Sequence, residues 1–154
     1  MRDTKAVGDI SEAMVLAEFL RIGKTVLMPF GDRCRYDLVL DEGTHFVRIQ
    51  CKTGRLAAGT ITFGTFSVVR DATTKKYVKK YYGRSEIDVY GVYCPETRKV
   101  YIVPVEHVAK NAGSLRVSPS AISRSRGGRK AAQYELMEGW VSQAETTALL
   151  KQGG

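Results

Sequence analysis

The stretch YDLVLDEGTHFVRIQCKTGR, positions 36–55, constrains the fold more than any other part of the chain. Two runs rich in β-formers flank the turn signal Asp41-Glu42-Gly43-Thr44, which predicts a β-hairpin. Side chains alternate along a strand, so His45, Val47, Ile49 and Cys51 share one face while Phe46, Arg48, Gln50 and Lys52 share the other. The apolar face needs a hydrophobic layer behind it. Residues 9–22, DISEAMVLAEFLRI, predict a helix, because Ile10, Ala13, Met14, Ala17 and Leu20 recur at helical spacing between an N-cap at Asp9 and a stop at Gly23.

Further elements follow from the same rules. A short strand is predicted at 25–28, then a turn at 29–32 and an exposed loop through Arg33, Cys34 and Arg35. Residues 60–69 form another strand, and 87–93 and 99–105 a second hairpin around Cys94-Pro95-Glu96-Thr97-Arg98. Residues 106–111 suit a short helix, 114–129 a Ser-, Gly- and Arg-rich arm, and 142–151 a terminal helix. This order predicts a mixed α/β domain whose central sheet carries a helix on at least one side. We divide it into a core, 1–112, and a basic arm with a C-terminal helical segment, 113–154, packed on the core or at an oligomer interface.

At 154 residues the chain has room for one domain with a sizeable core. No window approaches the ~18 apolar residues of a spanning helix. The first residues lack an apolar signal core, so a cytoplasmic protein without membrane contact is expected. Three cysteines at wide spacing and the solitary His45 and His107 argue against a zinc site or a disulfide framework. The 24 basic and 16 acidic residues leave a net charge of +8, which favours a polyanionic partner. The charge is concentrated. Residues 70–84 hold Arg70, Lys75, Lys76, Lys79, Lys80 and Arg84 against Asp71, and 116–130 hold five cations and no acid.

The polar face of the hairpin is where chemistry is expected. Pairing brings Asp37 on the first strand beside Gln50 and Lys52 on the second. For phosphodiester hydrolysis the set is chemically sensible. Asp37 is a hard oxygen ligand for Mg²⁺ (or Mn²⁺), and the Gln50 side-chain carbonyl and the Cys51 backbone carbonyl add further oxygens. Lys52 orients water or offsets charge on the phosphorane, and Glu12 on the helix completes the site. Each residue also has a plainer use: Glu12 in a capping box with Asp9, Asp37, Gln50 and Lys52 as solvent-facing strand residues.

The runs GDISEAMVLAEFLRIGKTVLMPFGDRCRYDLVL, VRIQCKTGR and IDVYGVYCPETRKVYIVPV together resemble the PD-(D/E)XK nuclease superfamily, in particular the group I intron-associated homing endonucleases of bacteria, over residues 7–105. The resemblance implies a restriction-endonuclease-like core, a central mixed β-sheet flanked by helices. By motif it makes Glu12 the helix carboxylate, Asp37 the metal aspartate, Gln50 the residue in place of the usual acid, and Lys52 the catalytic lysine. Arg35 and Tyr36 stand where the motif nominally has proline. Glutamine at the third position is characteristic of the intron-associated group, so activity is expected.

The resemblance therefore implies a Mg²⁺-dependent, sequence-specific endonuclease of homing type that cuts double-stranded DNA and works as a homo-oligomer, dimer or tetramer. Lys75, Lys76, Lys79, Lys80 and Arg84 are expected on phosphates, and Arg33, Arg35, Arg55 and Arg70 nearer base edges. The competing readings are a Holliday-junction resolvase or repair nuclease of the same fold, and a non-catalytic DNA-binding module.

Overall fold

A computed structural model describes residues 3–118 and 128–143. The predicted hairpin is present. β2 (Leu38–Asp41) and β3 (Phe46–Thr53) pair antiparallel with Leu38 opposite Ile49, closed by the Gly43 turn at φ +82°. β1 (Thr25–Leu27) adds to the outer side of β2. The second predicted hairpin is β8 (Val89–Cys94) with β9 (Lys99–Pro104), and β8 lies parallel to β3. The result is a five-stranded mixed sheet in the order β1-β2-β3-β8-β9.

The helix α1 (Thr4–Arg21) lies over one face of this sheet. Val15 and Phe19 bury against Leu38, Leu40, Val47, Ile49, Val100 and Ile102. On the opposite face a second core gathers Tyr90, Val92, Tyr101 and Val103 with Ile61, Phe63 and Leu115. Those last three come from a three-stranded sheet, β10-β5-β4, formed by β4 (Arg55–Ala57), β5 (Thr60–Gly64) and β10 (Ala112–Arg116).

Several expectations need correction. The helix starts at Thr4, not at residue 9, because Asp3 rather than Asp9 caps it, accepting the Lys5 N–H at 2.9 Å. The face it buries is Ser11, Val15 and Phe19, leaving Ile10, Ala13, Met14, Ala17 and Leu20 of the predicted stripe exposed. Glu12 therefore sits two turns inside the helix and closes no capping box. The strand predicted at 60–69 is two strands in different sheets. Thr65 is buried between them, its hydroxyl donating to the carbonyls of Ala109 and Lys110, and β6 (Phe66–Arg70) turns away to pair with β7 (Tyr77–Tyr81). The basic segment thus contains a strand that charge had obscured.

Of the helix predicted at 106–111 only a 3₁₀ turn, Val105–His107, forms, because the chain must extend to enter β10. The arm predicted from 114 begins as this strand, which buries Leu115. Most of the helix predicted at 142–151 lies outside the described residues.

Candidate active site

β3 is the central strand, and the site forms where it runs between β2 and β8. Asp37 immediately precedes β2 and is drawn alongside β3 by its own N–H, which donates to the Ile49 carbonyl at 2.8 Å. Its Oδ2 accepts two bonds, from the Gln50 side-chain amide at 2.7 Å and the Cys51 backbone N–H at 2.8 Å. The carboxylate is held by main chain as well as side chain. Gln50 also reaches the Cys51 carbonyl, at 3.4 Å.

α1 approaches the sheet closely enough to bring Glu12 into play. Gly91, on β8, permits this approach: a Cβ there would lie 2.8 Å from Val15 Cγ1. One turn along, Ser11 hydrogen-bonds Thr53 at the end of β3. Burial raises the Glu12 carboxyl above the ordinary range, and the negative charge of Asp37 raises it further. Burial also raises Asp37, against the pull of the Cys51 N–H and the Lys52 charge. Burial first, then the charges of Asp37 and Glu12, push the Cys51 thiol well up, so this cysteine is an unreactive thiol.

Lys52 completes the group. Its Nζ donates to the Phe66 carbonyl at 2.9 Å and lies 4.9 Å from the centre of the Tyr82 ring. Burial pulls the ammonium below the ordinary lysine range, which Asp37 partly offsets. Glu12, Asp37 and the Gln50–Lys52 pair, from three separate stretches of the sequence, therefore meet at one place.

These donors fit a hard divalent cation. The available atoms are all oxygen: two carboxylates, the Gln50 side-chain carbonyl and the Cys51 backbone carbonyl. Burial first and then the charge of Asp37 raise Glu12, and a bound cation would relieve the like-charge part of that cost. The Gln50 amide now points its nitrogen at Asp37, and a half-turn of its last torsion exchanges nitrogen for oxygen. Among the described residues no cluster of three His, Cys, Asp or Glu forms, and position 50 contributes an amide rather than a carboxylate.

The predicted DNA contacts divide differently. Arg33 is exposed on its loop, Arg55 is exposed at the start of β4, and Arg84 is exposed and 3.8 Å from Glu106. Arg70, Lys75, Lys76, Lys79 and Lys80 are all exposed on the β6–β7 hairpin. Arg35 is engaged within the protein. It bonds Glu86 at 3.1 Å, Ser67 Oγ at 2.9 Å and the Tyr81 and Lys80 carbonyls, and stacks 4.1 Å from the centre of the Tyr82 ring. Sequence reasoning noted Tyr82 only as one of the tyrosines interleaved with the basic run, and it missed Ser67 and Glu86; together these organise Arg35 and the surroundings of Lys52. It also missed Arg48, whose backbone N–H and guanidinium grip Asp88 and so tie the segment before β8 to β3.

A mixed sheet with a helix across one face, and a half-buried acid pair beside an amide and a lysine at its central strand, have the arrangement of a restriction-endonuclease-like fold. A family model described as PD-(D/E)XK endonuclease matches residues 2–137, and the chain belongs to that family. Among solved structures it is similar to a bacterial homing endonuclease, I-Ssp6803I, with a TM-score of 0.66 and 22% identity over 99% of this chain and 96% of that one. No curated protein matches the chain.

Proposed function

We propose that the chain is a Mg²⁺-dependent, sequence-specific endonuclease of homing type that hydrolyses both strands of duplex DNA as a homo-oligomer. The observation that carries this reading is the clamped Asp37, fixed by Gln50 and the Cys51 N–H, with Glu12 and Lys52 in electrostatic contact with it. In it Asp37, Glu12, Gln50 and the Cys51 carbonyl hold Mg²⁺ or Mn²⁺. When bound, the ion supplies Lewis acidity towards a phosphate oxygen and lowers the pKa of water.

The chain's own residues do the rest. Asp37 presents a carboxylate whose direction the Cys51 N–H fixes, so little reorganisation is needed as substrate binds. Glu12 adds the negative charge that Gln50 lacks. Lys52, half-buried and with its ammonium drawn below the ordinary lysine range by burial, orients the attacking water and, as the ammonium, offsets charge at phosphorus. Cleavage leaves a 5′-phosphate and a 3′-hydroxyl.

One such site cuts one strand, so double-strand cleavage calls for two sites, a dimer or tetramer. Leu115, Ala131 and Leu136 pack on the core, and the basic remainder of 113–154 is part of the proposal, at DNA or at the contact between copies. The test is a diverse duplex pool incubated with Mg²⁺ or chelator, new ends being captured and sequenced. Paired ends at one long motif, lost with chelator and in Lys52→Ala, are expected. Cutting confined to four-way junctions would replace the reading with a junction resolvase. Duplex binding with no metal-dependent product would replace it with a binding module.

A further inference from the structure

The β6–β7 hairpin belongs to neither main sheet. An isolated two-stranded ribbon is marginal in water, and this one exposes apolar side chains: Val68 is 57% and Tyr77 75% exposed. Its root is fastened. Arg35 grips Ser67 and the carbonyls of Lys80 and Tyr81, Tyr81 Oη donates to Asn111 at 3.0 Å, and Phe66 accepts the Lys52 bond. The ribbon is thus anchored directly to the candidate catalytic lysine while its outer half lies open.

The register sorts the outer half into two faces. Val68 opposite Lys79 and Arg70 opposite Tyr77 share one face, and Val69 opposite Val78 lies on the other. The first face carries a branched apolar side chain, an aromatic ring and two cations. Arg70 spends one nitrogen, Nε, on the Lys75 carbonyl at 3.2 Å, and its other two have no acceptor among the described residues. At the tip, the one acid of the ribbon is consumed in the turn: Asp71 accepts the N–H groups of Thr73 at 2.9 Å and Thr74 at 2.6 Å. Lys75 and Lys76 are left there as exposed positive charge.

From this we infer that the β6–β7 ribbon enters the major groove of duplex DNA and reads sequence with the Val68–Arg70–Tyr77–Lys79 face. The inference rests on the nuclease reading and deepens it, by assigning specificity to one element. The groove admits a two-stranded ribbon, an arginine pairs both major-groove acceptors of guanine, and an apolar side chain meets the thymine methyl. Lys75 and Lys76 at the tip, with Lys80, take phosphates and set affinity without sequence preference. A phosphate-only role would need the cations and leave Val68 and Tyr77 exposed without purpose.

Full-length protein in chelator is used to select from a randomised duplex library, in parallel with Arg70→Gln, Val68→Ser, Tyr77→Ala and Lys76→Ala. The ribbon face is solvent-exposed, so all four are expected to melt with the parent. Arg70→Gln should lose the preference at one G·C pair and bind the parental motif roughly fivefold to a hundredfold more weakly. Placing 7-deazaguanine at that pair should weaken the parent by a similar factor and leave Arg70→Gln unaffected. Lys76→Ala should weaken every sequence alike. Selection of the parental motif by all three face variants, or no motif for the parent itself, would overturn the inference. Cleavage of the same pool with Mg²⁺ tests the nuclease reading independently. A protein that cuts but selects without the ribbon sinks only this inference, and one that selects through the ribbon but never cuts sinks only the proposed activity.

Discussion

Asp37 shows how the fold sets stability against chemistry. Its folded-state pKa is raised, chiefly by burial, so the stability linked to its protonated form is full below the ordinary carboxylate value and is lost as pH rises through the folded one. At neutral pH the ionised group is therefore a cost. Asp37→Asn is expected to abolish cleavage yet raise the melting temperature, by about 2–4 °C for each ~1 kcal/mol regained, measured by calorimetry in chelator. Glu12 is raised for the same reasons plus the charge of Asp37, so the acid limb of the cleavage profile should lie above the ordinary ~4 and move to lower pH as Mg²⁺ is increased. A limb that ignores Mg²⁺ would separate these carboxyls from the metal. Lys52→Met, which keeps an apolar stem near Tyr82, should lower cleavage by roughly 10²–10⁴-fold with duplex binding retained. That Asp37 and Lys52 could be brought together on a β-hairpin was legible in the sequence. Their environment was not, since nothing in the order of residues states that Lys52 turns to the Phe66 carbonyl or that Arg35 stacks on Tyr82.

Between elements, the contact of α1 with the sheet decides whether Glu12 reaches the site at all. Gly91→Ala would place its Cβ 2.8 Å from Val15 Cγ1 and 3.0 Å from Ile49 Cγ2, an overpacking expected to cost about 1–3 kcal/mol. Cleavage should fall with it, and adding Val15→Ala should restore part of the activity by making room. Gly8→Ala is the contrasting case. It lies within α1 with no atom within 4 Å of the added Cβ, and should stabilise by roughly 0.5–1 kcal/mol without changing activity. The two hairpins of the main sheet were readable because alternation and turn residues agree locally. The strand at 60–69 was misread because its break at Thr65 is made by acceptors on the Ala109–Lys110 segment, far along the chain.

For the whole molecule, the +8 charge predicts strongly salt-dependent DNA binding, with a logarithmic slope near −0.9 for each phosphate neutralised. Lys75→Ala combined with Lys80→Ala should flatten that slope by about two phosphates' worth, read from titrations across salt concentrations. If cutting both strands requires assembled copies, cleavage should show a concentration threshold that coincides with oligomer formation in sedimentation. Cleavage of both strands by a dilute monomer would remove the need for an oligomer.

The sequence by itself determined the α/β class, the β2–β3 hairpin with its polar and apolar faces, and the four residue types suited to phosphodiester chemistry. Each rests on a short-range rule of periodicity, turn preference or functional-group chemistry. The tertiary structure alone decided that β3 and β8 run parallel and that the three-stranded sheet closes the second core. It also decided that Glu12 meets Asp37 across the Gly91 gap and that the basic run folds into a ribbon rooted at Lys52. Those outcomes depend on pairings between distant segments, where burial and hydrogen bonding outweigh local preference.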